Sequence, residues 1–258
     1  MMPAEAAKSE HVVGAAPAGA GDQSAASQAV REMFTAIAPR YDLLNHVLSC
    51  NVDRLWWWRT ARTFRHILQR PEARVLDLCC GTGDMTLALL RQAGALQSPI
   101  IGADFSHAML QRAAKKTLAR NIRLIEADAL QLPLPDERFD LVVSAFGFRN
   151  LANYDTGLQE ILRVLKPGGE IGILDFGEPK GLLGKIYRVY FRRVLPFIGS
   201  MISGVRGPYA YLPASVERFP EPEEMLKRMR AAGFRDAVWK PYSFGIAGLF
   251  RAKKQLQS

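Results

Sequence analysis

From residue 74 onward, short apolar runs alternate with stretches whose apolar residues recur every three to four positions. The runs Arg74–Leu78, Pro99–Asp104, Ile122–Glu126, Phe139–Ala145 and Glu170–Asp175 are too short for helices and read as buried strands. Helical spacing covers Met85–Gln92, His107–Leu118, Tyr154–Leu165 and Glu221–Ala232. Ser106 is placed to cap the second of these, and Lys166-Pro-Gly-Gly169 closes the third. Two last strands, Phe234–Tyr242 and Gly245–Arg251, follow across a short turn. This alternation predicts an α/β fold: a Rossmann-like, doubly wound seven-stranded sheet with helices on both faces and a terminal antiparallel hairpin.

Three stretches depart from that rhythm. Residues 1–28 are rich in Ala, Gly and Ser without apolar periodicity, and read as a disordered leader to a single domain, 29–258. Within it, N-terminal helices occupy 29–70, the core takes 71–177 and 216–253, and 178–215 is an insertion. Val30, Met33, Phe34 and Ile37 share a helix face that Pro39 terminates. Asp53 is placed to cap a longer helix carrying Trp56, Trp57 and Trp58. Successive helical residues diverge by about 100°, so at least one tryptophan belongs at a rim, over ligand or at a membrane interface. The insertion is apolar but carries Lys185, Arg188, Arg192 and Arg193, the pattern of a lid or a membrane-facing helix.

Charge widens the list of partners. The 258 residues carry a net charge of +9, which suits an anionic partner, nucleic acid or membrane, or simple solubility. No apolar segment follows a basic start, and no run of about 18 apolar residues occurs, so neither a secretory signal nor a membrane span is expected. The three cysteines, Cys50, Cys79 and Cys80, form no CxxC pair, so neither disulfides nor metal are expected, and a reducing compartment fits.

The candidate chemistry sits at Val75-Leu-Asp-Leu-Cys-Cys-Gly-Thr-Gly-Asp84, a strand that turns through Gly81 and Gly83 into a helix. A dinucleotide turn wants a third glycine, and that position is Thr86. Asp77 and Asp84 flank the turn, which disfavours a pyrophosphate and suits a cation. S-adenosylmethionine carries a sulfonium and an ammonium and has no phosphate. Asp104 ends the next strand, about 20 residues beyond the turn, where a carboxylate takes ribose hydroxyls. S-adenosylmethionine is therefore the expected cofactor.

Together, Asp77-Leu-Cys-Cys-Gly-Thr-Gly, Asp104, Asp128-Ala129 and Leu165-Lys-Pro-Gly-Gly169 resemble the class I S-adenosylmethionine-dependent methyltransferases. Met33-Phe-Thr-Ala-Ile-Ala-Pro-Arg-Tyr-Asp-Leu-Leu-Asn45, Phe146-Gly-Phe-Arg-Asn150 and Tyr211-Leu-Pro-Ala-Ser-Val-Glu-Arg-Phe-Pro220 resemble one branch, the menaquinone and ubiquinone biosynthesis C-methyltransferases. The likeness spans roughly residues 30–253. It implies methylation of a ring carbon on a polyprenylated hydroquinone: a demethylmenaquinol or, in the ubiquinone route, a methoxybenzoquinol. By similarity, Thr82, Asp104, Asp128 and Ala129 contact the cofactor, with Asp128 near the adenine; some members use a serine where this chain has Ala145.

Carbon methylation needs a phenolate whose ortho carbon is aligned on the sulfonium methyl in a dry pocket. Arg149 is the candidate to stabilise that phenolate, directly or through a water that takes the proton, and Asn150 to orient the ring oxygen. Tyr41 and Asp42 are placed to close the site. A prenyl tail calls for an apolar groove and for peripheral association with an anionic membrane, on the cytoplasmic side of the inner membrane. The terminal hairpin offers an edge for a homodimer. A nucleic-acid methyltransferase fits less well, because strand four ends in Ala145-Phe-Gly-Phe rather than Asn-Pro-Pro-Tyr and no nucleic-acid module is present. A non-catalytic cofactor-binding scaffold is the remaining alternative.

Overall fold

The computed structural model describes residues 14–15, 21–38, 51–177, 179, 184 and 207–256. Its strands are β1 (Val75–Leu78), β2 (Ile100–Asp104), β3 (Ile122–Glu126), β4 (Phe139–Ala145), β5 (Leu165–Phe176), β6 (Phe234–Tyr242) and β7 (Ala247–Lys254). They form one sheet in the order β3-β2-β1-β4-β5-β7-β6. The first five are parallel, and β7 runs antiparallel to both β5 and β6. The expected seven-stranded sheet with its terminal hairpin is thus present.

The described helices are α1 (Gln23–Ile37), α2 (Val52–Thr63), α3 (Arg65–Leu68), α4 (Asp84–Gln92), α5 (His107–Thr117), α6 (Tyr154–Val164), α7 (Gly207–Arg218) and α8 (Pro222–Ala231). Strand alternation sorts the sheet's side chains between two apolar layers. Leu76, Leu78, Val142 and Ile171 pack with Tyr154, Ile161 and Met225 of α6 and α8. Val75, Leu141, Val143 and Leu174 pack on the other face with Trp56, Met85 and Leu89 of α2 and α4. Burial on both faces explains why the inner strands read as continuous apolar runs.

Several sequence expectations shift. The N-terminal helix begins at Gln23 rather than near residue 29, so it takes the end of the supposed leader. Asp22 caps it, accepting the Ala25 N–H at 2.8 Å, and Ala26 and Val30 are buried one turn apart. Alanine carries too little hydrophobic signal to reveal that face from sequence. Gly14 and Ala15 are also docked: the Ala15 N–H donates to the Leu151 carbonyl at 2.8 Å. Asn51, not Asp53, precedes α2; Asp53 lies buried in its first turn. β5 starts at Leu165, because Phe139 pairs with Leu165 and Leu141 with Glu170, leaving Lys166-Pro-Gly-Gly169 as a bulge. Trp56 and Trp57 are buried while Trp58 is 43% exposed, the split expected of three successive tryptophans. Tyr41, Asp42 and most of the expected 178–215 insertion, with Lys185, Arg188, Arg192 and Arg193, lie outside the described residues.

Candidate functional site

The parallel strand order reverses between β1 and β4, and open α/β sheets bind ligands beyond the carboxyl ends of their strands at such a point. Both strands end there in left-handed backbone: Cys79 has φ 56° and Phe146 φ 58°. Non-glycine residues hold that conformation at a cost, and such strain gathers at functional sites. The two ends are forced together at Gly147, where a Cβ would stand 2.3 Å from the Cys79 Cβ.

Beside this junction opens a cavity of about 680 Å³, counting its mouth. Gly81, Asp104, Asp128, Ala129 and Asn150 line it, as do Met109, Leu130 and Phe146. Ser27 and Phe34 of α1 complete the wall. Five of the expected site residues, scattered from position 81 to 150, therefore meet in one place.

Of the remaining expected residues, Asp77, Thr82, Gly83 and Arg149 are described and are absent from the lining. Asp77 alternates away from Leu76 and Leu78, so it sits under α4, where the Thr86 hydroxyl donates to it. Burial pushes its carboxyl up to about 7, with the Thr86 hydrogen bond acting the other way. Asp84 at the start of α4 is held by Lys116 of α5 at 3.0 Å. The same ammonium donates to Thr82 Oγ1 at 3.0 Å. Gly83 packs on Ala113 of α5 at the start of α4, with φ 87°. The two acids that flank the turn in sequence thus do not line the cavity; among the described residues, the carboxylates that do are Asp104 and Asp128.

Asp104 is fixed by its own turn. The Gly81 N–H donates to one carboxylate oxygen at 2.8 Å and the Ser106 N–H to the other at 2.9 Å. Burial pushes its pKa up to about 6 even against those two bonds. Each oxygen keeps a lone pair for a further donor. Asp128 is exposed at the rim and accepts the Leu130 N–H at 2.9 Å. Burial pushes the Cys79 and Cys80 thiols well above their ordinary range, so both stay neutral at pH 7.

On the β4 side, a short 3-10 turn, Phe148–Asn150, follows Gly147. Arg149 is buried against Asp175 at the end of β5: Nη1 donates to Oδ1 at 2.9 Å and the Arg149 N–H to Oδ2 at 3.1 Å. Nη1 also reaches the Phe146 carbonyl, and the guanidinium lies 5.2 Å over the Phe176 ring. Arg149 Nε is buried with no hydrogen-bond partner among the described residues. Burial raises the Asp175 pKa above the usual carboxylate range while the Arg149 charge pulls it down. Phe146 packs at a tilt on Phe176, centroids 4.6 Å apart, and Trp56 leans on both. Sequence reading missed Asp175 because it saw only a strand end. The available signal was that strands four and five neighbour one another, which brings an acid beside an arginine.

The donor set suits S-adenosylmethionine. A Cβ at Gly81 would meet nothing within 4 Å, so backbone can be approached closely there. Asp104 offers a buried carboxylate for a ribose, and Asp128 with Ala129, Leu130 and Met109 offers an apolar slot with an acceptor at its rim. No cluster of three metal-ligating side chains occurs among the described residues.

Comparison with known proteins gives a consistent picture. A model of the ubiE/COQ5 methyltransferase family matches residues 22–254. A demethylmenaquinone methyltransferase of Deinococcus radiodurans is 49% identical, over 91% of this chain and 96% of that protein. One from Thermus thermophilus is also 49% identical, over 84% of this chain and 97% of that protein. A ubiquinone/menaquinone biosynthesis C-methyltransferase UbiE of Geobacter sulfurreducens is 43% identical, over 88% of this chain and 89% of its own length. Among solved structures, the [4+2]-cyclase SpnF superposes with a TM-score of 0.65 at 20% identity, over 90% of this chain and 97% of that one. That likeness concerns the fold.

Proposed function

The chain belongs to the ubiE/COQ5 methyltransferase family, and from that premise we propose how it works: it transfers a methyl group from S-adenosylmethionine to a ring carbon of a polyprenylated hydroquinone, demethylmenaquinol becoming menaquinol. The observation that carries this reading is the convergence of Gly81, Asp104, Asp128, Ala129 and Asn150 on one cavity at the sheet's switch point. The menaquinone route is preferred because the 49% relatives carry that name, whereas the first relatives named for both quinones lie at 37–43% identity.

S-adenosylmethionine supplies an electrophilic methyl on a sulfonium. Asp104 accepts its ribose hydroxyls, Asp128 and Ala129 border its adenine, and Gly81 lets its main chain approach. Asp77, Thr82 and Gly83 support the turn from behind rather than touching ligand. The chain's other task is to favour the quinol's phenolate. Asn150, which lines the cavity, orients the ring oxygen. Arg149 lends positive charge in a dry setting, held by Asp175, and its Nε, which has no hydrogen-bond partner among the described residues, is the donor for the phenolate or for the water that takes the proton. Tyr41 closes the site. No metal takes part in this scheme.

A polyprenyl substrate resides in a bilayer, so the protein works at an anionic membrane surface, on the cytoplasmic side; among the described residues no helix is long and apolar enough to cross one. β6 is the sheet's edge and pairs with a second copy in the homodimer we also propose.

Methyl transfer from labelled S-adenosylmethionine to reduced demethylmenaquinone, and separately to a reduced methoxybenzoquinone of equal tail, tests the reading. Transfer to the first alone is expected. Transfer to both makes this a shared enzyme, and transfer to neither, with cofactor binding intact, returns weight to a scaffold role.

A further inference from the structure

Among the described residues, the exposed large apolar side chains are Leu55, Trp58, Leu118, Val238, Phe244 and Leu256. Only Trp58 and Phe244 of these are aromatic, and the structure brings their segments together. Trp56 Nε1 donates to Ser243 Oγ at 2.9 Å, and the Arg59 guanidinium lies 4.4 Å over the Tyr242 ring. One flank of α2 therefore runs along the turn between β6 and β7. Phe244 follows Ser243 directly, in left-handed backbone at φ 59°, and is 86% exposed. Leu55 and Trp58, three residues apart on α2, are 48% and 43% exposed.

Among the described residues, the charges that α2 and the end of β6 expose around this patch have one sign. From position 52 to 66 there are four arginines, Arg54, Arg59, Arg62 and Arg65, and one acid. That acid, Asp53, is buried and accepts the Arg54 N–H. The Arg62 guanidinium lies 5.1 Å over the Trp58 ring. Lys240 is exposed on β6 beside the same turn. Indole and phenyl rings ringed by guanidinium groups fit the boundary between acyl chains and anionic headgroups, where apolar bodies enter and cations stay with phosphate.

We propose that the outer face of α2 and the Phe244 turn form the surface by which this protein docks on an anionic lipid bilayer. The proposal rests on the quinol methyltransferase reading, since a prenylated substrate is what demands a bilayer. The position suits delivery. The inner side of the same helix places Trp56 5.8 Å from Phe146, and Phe146 lines the cavity. A ring entering from the bilayer beside α2 has one aromatic layer to pass before the site. The lid or membrane-facing stretch expected within the 178–215 insertion lies mostly outside the described residues; the α2 face is a separate contact that stands on described residues alone.

The test uses the full chain and two variants: Leu55→Ser with Trp58→Ser and Phe244→Ser, and Arg54→Gln with Arg62→Gln. Binding is read by co-sedimentation with vesicles of phosphatidylglycerol and phosphatidylcholine, and with phosphatidylcholine alone. The wild type should prefer acidic vesicles. The apolar triple variant should lose binding to both kinds. The arginine variant should lose about 30-fold on acidic vesicles, roughly fivefold for each cation, and little on neutral ones. Turnover of a short-tailed, water-soluble quinol should remain within about twofold in both variants, showing that they fold, since none of these side chains touches the cavity. Undiminished vesicle binding by both variants would overturn the proposal. So would a wild-type oligomer that the triple variant dissociates in sedimentation, because the patch would then be a protein interface. Absence of quinol turnover in the wild type, with the vesicle results as expected, would instead refute the substrate reading and leave the docking surface standing.

Discussion

The cavity has two halves, and they handle charge in opposite ways. On the β1–β2 side, Asp104 is buried with two backbone N–H groups and forms no ion pair among the described residues; burial pushes its pKa up to about 6, with the Arg31 charge acting weakly the other way. On the β4–β5 side, Asp175 is buried too, but Arg149 grips it at 2.9 Å and its own main-chain N–H adds a second bond. The first half keeps negative charge available for a ligand bearing hydroxyls and cations. The second half spends its carboxylate on fixing an arginine. An acid's surroundings therefore tell its task better than its place beside a motif: Asp77 and Asp84 flank the glycine turn, yet neither lines the cavity.

The sharpest way to break this contrast is at Asp175. Asp175→Ala leaves the Arg149 guanidinium buried without its partner, which costs about 3–5 kcal/mol. Denaturant unfolding should show that loss, with Asp175→Asn losing less because the amide oxygen still accepts one bond. If the alanine variant were as stable as the wild type, the pair would not be the anchor of this half.

Next in size is the effect of Asp77. Its folded pKa, about 7, lies above that of an unfolded aspartate. Between roughly pH 4 and 7 the folded state therefore binds the extra proton, so stability falls as pH rises through that window and levels above it. The slope is at most about 1.4 kcal/mol per pH unit. Asp77→Asn should flatten this slope in thermal or urea unfolding followed from pH 5 to 8. Below pH 6 the slope is shared with Asp104, so an undiminished slope between pH 6 and 7 in the variant would place the titration elsewhere.

Asp104 reports on the ligand side. Cofactor binding should weaken as pH falls through about 6, because the protonated acid loses its charge-assisted acceptor. Asp104→Asn should bind S-adenosylmethionine about tenfold or more weakly and lose the pH dependence, as read by calorimetry. Equal affinities for wild type and variant would remove Asp104 from the ribose role.

How much of this was readable beforehand follows from how each signal is encoded. β4 was legible because both its faces are buried, and β6, mostly exposed at the sheet's edge, also begins and ends where the residue pattern says. Gly81, Asp104 and Asn150 were legible because a strand's carboxyl end is a fixed place for a ligand, whereas Asp128 and Ala129 came from the family resemblance alone. The Arg149–Asp175 pair was not legible, since it joins the turn after β4 to the end of β5 and needs the sheet order. The start of α1 was hidden by a face made of Ala26 and Val30, and the bulge at Lys166–Gly169 by proline and glycine that read as a turn. The Asp84 ion pair was not legible either, because its partner Lys116 comes from another helix.

That last pair sets the smallest test of the comparison. Lys116 and Asp84 are both about a quarter exposed, at 27% and 23%, so water screens their attraction. Such a pair contributes about 0.2–1 kcal/mol. Lys116→Met should therefore cost no more than about 1 kcal/mol in unfolding, and less in high salt. Its ammonium also donates to Thr82 Oγ1, so the glycine turn loses two supports at once. If Asp84 acts only within the turn's scaffold, the Asp84→Asn, Lys116→Met double variant should bind S-adenosylmethionine within about twofold of Lys116→Met alone, because a freed carboxylate off the cavity adds little attraction. A markedly tighter single variant would show instead that Asp84, once released, reaches the cationic ligand, and the division between lining acids and scaffold acids would have to be redrawn at the turn itself.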